Sequence, residues 1–161
     1  MLSLHPDARR FAFGGTSAIV TGMGLIIGLD AAAASRMALV GSLLIIGLAD
    51  NLTDSLSVHM YQEAEHLDGR QALRTTVTNF LARFAITLSF VGFLITLPFS
   101  TAIIVSLIWG FVLLALMSLM LARLRRASAL AEIWKHTAVA VTVIIASKII
   151  GTAIPALIAS I

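Results

Sequence analysis

Residues 37–49 read MALVGSLLIIGLA and residues 50–68 read DNLTDSLSVHMYQEAEHLD. The first run is membrane-helix sequence. The second follows with no helix breaker, yet it carries Asp50, Asn51, Asp54, His59, Glu63, Glu65 and His66. At 100° per residue, Asp50, Asp54, Ser57, Tyr61, Glu65 and Asp68 share one helical face, with His59, Glu63 and His66 roughly opposite. Ionisable residues inside an apolar span are costly and mark candidate functional sites. The remaining chain is what surrounds this helix.

The composition fits that solvent. Of 161 residues, 59% are hydrophobic and 12% charged, about half the charge of a soluble domain. The mean hydropathy is +1.01. The lack of cysteine excludes disulfides, thiolate metal sites and cysteine nucleophiles. Arg9, Arg10 and the AAAAS of residues 31–35 imitate a signal peptide, but the run between them holds five glycines and ends at Asp30, which argues against cleavage.

Five segments can cross about 30 Å of hydrocarbon. They lie near 11–30, 37–58 (extended as helix to about 68), 77–97, 99–122 and 137–160, one transmembrane domain over 1–161. Pro98 ends one helix and permits a tight reversal. If the N-terminus is cytoplasmic, that side collects Arg9, Arg10, Arg70, Arg74, Arg123, Arg125, Arg126 and Lys135, and the other side only Arg36. The positive-inside rule therefore predicts N-in and C-out, in a prokaryotic cytoplasmic membrane. Tyr61 and Trp134 fall at the cytoplasmic interface, and the basic link there fits anionic lipid rather than nucleic acid.

The first span carries Gly14, Ser17, Thr21, Gly24 and Gly28 on one stripe, suited to close helix packing. A homodimer through this stripe is expected. The fifth span has a comparable stripe of Lys148, Gly151, Thr152 and Pro155. Met117 and Met120 read as gap-filling core.

Depth below the cytoplasmic face, at 1.5 Å per residue, comes to about 5 Å for Asp54, about 10 Å for Asp50, about 8–10 Å for Arg83 and about 16 Å for Lys148. The four charges sum to zero. Each costs about 2.5–3.5 kcal/mol at a helix centre, so pairing Asp54 with Arg83 and Asp50 with Lys148 would make two interhelical ties that need no ligand. The functional reading starts from repulsion. Two carboxylates about 6 Å apart repel by about 2.8 kcal/mol at an effective dielectric of about 20. A divalent cation or a proton between them relieves it, and carboxylates with a histidine suit Mn²⁺ or Fe²⁺. His59, Glu63 and His66 have helical ligand spacing and could collect metal at the cytoplasmic end; a solvated helix face is the more common reason for such a pattern. No nucleotide loop, HExxH or GxSxG occurs, and Ser, His and Asp on one helix cannot converge as a triad, so no enzyme is expected.

The stretch 54–58, DSLSV, with Gln62, Glu63 and Glu65 after it, resembles the E-Y-x-S-V motif in the second helix of the vacuolar iron transporter family. Residues 10–29, RFAFGGTSAIVTGMGLIIGL, resemble that family's F-G-x-N-D-G opening and the glycine-bearing helix after it. The resemblance covers about residues 9–65. It implies a homodimer with a metal path along helices one and two, carrying Fe²⁺ or Mn²⁺ out of the cytoplasm against protons. Asp54 keeps the family's carboxylate, and Asp50 is a substitute ligand. Ser17 stands where the family has Asp. The long cytoplasmic insertion is reduced to HLDGRQALRTT, making this a short, divergent relative. Glu63, Glu65, His59 and His66 would gather metal on the cytoplasmic side. The alternative is a non-transporting membrane scaffold or regulatory partner with its four charges paired internally.

Overall fold

A computed structural model describes residues 6–64 and 69–160, and the side-chain surroundings of 14–64, 69–70 and 73–160. It contains α1 (Pro6–Ala31), α2 (Arg36–Ala64), α3 (Gly69–Thr96), α4 (Phe99–Arg125) and α5 (Ala129–Ala159). Lengths of 26 to 31 residues correspond to about 39–47 Å. Each helix is long and apolar enough to cross a membrane. The chain is all-α and of the integral-membrane kind.

Two helices begin well before their apolar runs. α3 starts at Gly69 rather than 77, and α5 at Ala129 rather than 137. Hydropathy finds the part of a helix that suits lipid, and the polar turns LRTT and AEIWKH continue the same helices beyond it. The α4–α5 link shrinks from the expected 123–136 to 126–128, and His136 moves into a helix. α1 also starts early, with Pro6 in the first turn, where its missing N–H costs nothing.

Short links force neighbouring helices to run antiparallel. Two of them use the same device without glycine. At Ala33 (φ 56°) and Arg126 (φ 53°) the backbone turns left-handed. Ala34 N–H then donates to Leu29 O and Ala127 N–H to Ala122 O, both at 2.9 Å, closing the preceding helix. Two residues after each left-handed position a serine caps the next helix. Ser35 Oγ accepts from Ala38 N–H, and Ser128 Oγ from Ala131 N–H. At the α1–α2 end, Arg36 lies over the Phe99 ring at 5.7 Å, tying the start of α2 to that of α4.

α1 touches all four other helices, most extensively α5. Around it Ile19, Met23, Ile26, Leu39, Leu43, Phe90, Leu94, Ala102 and Ile103 form an apolar core. They belong to the half of the bundle that ends in the α1–α2 and α3–α4 links. The opposite half buries polar groups, among them Asn51, Asn79, Arg83, Ser118 and Glu132, while Leu48, Leu52, Leu56 and Leu116 are exposed. Polar inside and apolar outside is the arrangement lipid favours.

The small-residue stripe of α1 is a packing face, but its partners lie in the same chain. A Cβ on Gly14 would strike Asn79 of α3, and one on Gly24 would lie 2.8 Å from Val143 of α5. Gly28 backs directly onto Gly151. Only Ser17 and Thr21 of the stripe are exposed, so the glycines expected at a dimer seam are instead taken up by contacts within the chain. On α5 only Gly151 of the anticipated stripe faces inward. Glu132, Ala140 and Gly151 are buried, with His136 and Ser147 half-buried between them. Lys148, Thr152 and Pro155 are exposed.

Candidate functional site

The site is built around Arg83, the largest fully buried side chain at 2% exposure. Its position about four turns into α3 places it against α2. Nε donates to Asn51 Oδ1 at 2.8 Å, and Nη2 to Asp50 Oδ2 at 3.1 Å. Nη1 is bonded to Asp54 Oδ2. Asp50, Asn51 and Asp54 come together because positions one, three and four apart span one side of a helical turn. Space for the guanidinium comes from Gly14, where a Cβ would lie 3.3 Å from Arg83 Cδ.

The expected Asp54–Arg83 pair is therefore present, and the expected Asp50–Lys148 pair is not. Helix register gives the reason. Asp50 lies beside Ala18, Thr21 and Gly22 of α1, whereas Ser147 and Gly151, which flank Lys148, lie against Gly24 and Gly28. About six residues of α1 separate the two levels, or about 9 Å. Lys148 is exposed on α5 and has no ion-pair partner among the described residues. Two carboxylates thus share one guanidinium, leaving one negative charge in excess where four charges were expected to cancel.

Beneath this cluster is a cavity of about 600 Å³. All five helices line it: Thr16 and Ser17 from α1, Asp54 and Ser57 from α2, Asn79 and Arg83 from α3, Leu121 from α4 and His136 from α5. It lies in the polar half, and Asp54 and Arg83 form part of its wall. The Asp54 side chain keeps 43% exposure although it is ion-paired. Its Oδ2 is spent on Arg83, and Oδ1 has no partner among the described residues. Asn51 Nδ2 and Ser55 Oγ are also buried without a partner there. Toward the other end the helices close tightly, as a Cβ on Gly47 would come within 2.6 Å of Thr87 Cγ2.

His59 Nε2 lies 3.3 Å from Glu63 Oε1, and Nδ1 of His59 meets Thr76 Oγ1 at 3.4 Å. Both ring nitrogens are occupied by protein, so this histidine ties α2 to α3. Glu65 and His66, the other members of the expected collecting cluster, lie outside the described residues. No group of three or more metal-binding side chains forms among the described residues.

Three residues at the site carry little signal in the sequence. Asn51 is one of several polar residues on its helix, yet it holds Arg83. Asn79 is a single buried amide about three turns into α3. His136 follows a polar stretch that hydropathy places in a link. The signal for His136 is the spacing of Glu132, His136 and Ala140, each four residues apart on one face of α5.

No family model, characterised protein or solved structure matches the chain.

Proposed function

We propose that this protein transports a divalent cation of the Fe²⁺/Mn²⁺ class, with the N-terminus and the cavity on the cytoplasmic side. The observation that carries this reading is the cavity's end wall, where a space inside the bundle reaches Asp54, one of two carboxylates that share the single guanidinium of Arg83. Charges that served only to tie helices together would be matched one to one and would need no cavity beside them. In the resting arrangement Arg83 stands where a cation would bind. An incoming ion shares or displaces it, and proton coupling restores the balance.

The resemblance of residues 9–65 to vacuolar iron transporters supports the same reading, as does the gathering of bases at one end of the bundle. A second copy against Ser17 and Thr21 would keep the accessible carboxylates of α2 away from lipid. That is the proposed homodimer, seated beside the glycines rather than on them. The prokaryotic cytoplasmic membrane remains the proposed location.

Metal uptake into proteoliposomes tests the proposal. Mn²⁺ flux is expected in the native chain and should be lost in the Asp50→Asn/Asp54→Asn variant; flux unchanged in that variant would sink it. A second reading, a non-transporting scaffold, draws on the direct bonding of Arg83 to Asp50, Asn51 and Asp54. It requires that no ion moves and that the variant loses stability alone.

A further inference from the structure

Ser118 and His136 fix the protonation pattern of an imidazole on the cavity wall. Ser118 Oγ lies 2.6 Å from Leu114 O, and His136 Nδ1 lies 2.8 Å from Ser118 Oγ. A hydroxyl has one proton, and here it is donated to the carbonyl. Ser118 Oγ must then accept from His136, so Nδ1 carries the hydrogen and Nε2 of the neutral ring keeps its lone pair. Nε2 has no protein partner among the described residues. An imidazole that gives one N–H to an oxygen and presents the other nitrogen bare is arranged as a metal ligand is.

We infer that His136 Nε2 and Asp54 Oδ1 form a binding site for a first-row divalent cation in the cavity. The inference rests on the reading of the cavity as a cation path and adds a ligand from α5 to it. One imidazole nitrogen with one carboxylate oxygen selects Mn²⁺, Fe²⁺ or Zn²⁺ over Ca²⁺ and Mg²⁺, which favour oxygen alone. Ser17 and Ser57 also line the cavity and offer hydroxyl oxygens, and water completes the shell. Asp54 keeps its bond to Arg83 through Oδ2, so this site can load while the guanidinium stays in place. It would hold the ion one step before the Asp50–Asp54 pair.

The test is Mn²⁺ binding to the purified full-length chain, read by pulsed EPR for coupling to an imidazole nitrogen. The native chain should show that coupling. His136→Gln should lose it and bind Mn²⁺ at least about tenfold more weakly, while His59→Gln keeps it. Ser118→Ala retains the ligand but frees its tautomer, and affinity should fall by about 10- to 100-fold. This variant preserves the test should His136→Gln fail to fold. Bound Mn²⁺ without nitrogen coupling, coupling that survives in His136→Gln, or no Mn²⁺ bound at all would each overturn the site. Parallel flux measurements separate the two proposals. Flux by a chain lacking nitrogen coupling overturns this site and leaves transport standing. Coupling in a chain that moves no Mn²⁺ overturns transport and leaves the site.

Discussion

Arg83 Nε donates to Asn51 Oδ1 at 2.8 Å, and both side chains are at most 2% exposed. That bond orients the guanidinium plane so that its two remaining nitrogens meet Asp50 and Asp54. Lysine offers a point charge and no planar fork, so Arg83→Lys should not substitute. Removing the base strands two carboxylates. Arg83→Leu is expected to cost about 1–3 kcal/mol, less than the roughly 3–5 kcal/mol of a fully buried pair because both carboxylates are about two-fifths exposed. Adding Asp50→Asn and Asp54→Asn to Arg83→Leu should recover part of the loss. Unfolding of the detergent-solubilised chain measures both, and an Arg83→Leu cost below about 1 kcal/mol would contradict the arrangement.

The two acids are not equivalent. Asp54 lines the cavity, while Asp50 lies in the narrow cleft between α1 and α2. If ions arrive from the cavity, Asp54→Asn should reduce Mn²⁺ flux at low concentration more than Asp50→Asn. The difference should be about tenfold, or about 1.4 kcal/mol. Initial rates across a Mn²⁺ series separate the variants; equal losses would place both acids in one step.

Two glycines of α2 make an internal control. Gly41 has nothing within 4 Å of its would-be Cβ, whereas at Gly47 Thr87 Cγ2 would lie at 2.6 Å. Gly41→Ala should stabilise by up to about 1 kcal/mol through helix propensity. Gly47→Ala must push α2 from α3 against a stiff β-branched side chain and should cost about 1–3 kcal/mol. Opposite signs in thermal unfolding are expected.

Five spans were legible because about twenty apolar residues in succession have few uses outside a bilayer. The acid pair and its main counter-charge were legible for a related reason, since charges in such runs must find one another. Partner choice was not. Asp50 and Lys148, about 10 and 16 Å deep, lay within the reach of a lysine side chain, but depth counted along separate helices ignores how α1 sets α2 against α5. The register at Gly28 and Gly151 shifts Lys148 by more than a turn. His136 was lost because hydropathy ends a span where polarity begins, although α5 begins two turns earlier. The role of the α1 glycines was half visible. Small residues announce a close neighbour without saying whether it is in the same chain.

The left-handed residues Ala33 and Arg126 carry a steric cost of about 1–2 kcal/mol each that glycine avoids. Ala33→Gly and Arg126→Gly should each stabilise by about 0.5–1 kcal/mol after the added freedom of the unfolded chain is counted. Arg126 also contributes to the base count at its end of the bundle. If its charge sets topology, Arg126→Gly should raise the melting temperature yet leave a fraction of chains inverted in a protease-protection assay. Ala33→Gly should leave none.

The chain has no cysteine, so water access can be mapped residue by residue without preparing a background. Ser57 lines the cavity and is exposed, whereas Ser55, two positions earlier, is 2% exposed and turned into the bundle. In sealed right-side-out vesicles, Ser57→Cys should react with a membrane-impermeant thiol reagent only after the inner face is opened. Ser55→Cys should stay unreactive in both conditions. Excess Mn²⁺ should slow labelling at Ser57→Cys if the cavity holds the ion, because the thiol lies on the same wall as Asp54. Excess Mg²⁺ should not. Labelling from the outer face would reverse the N-in orientation. A Ser57→Cys thiol that never reacts would remove the aqueous path to Asp54 on which both the transport reading and the His136 site depend.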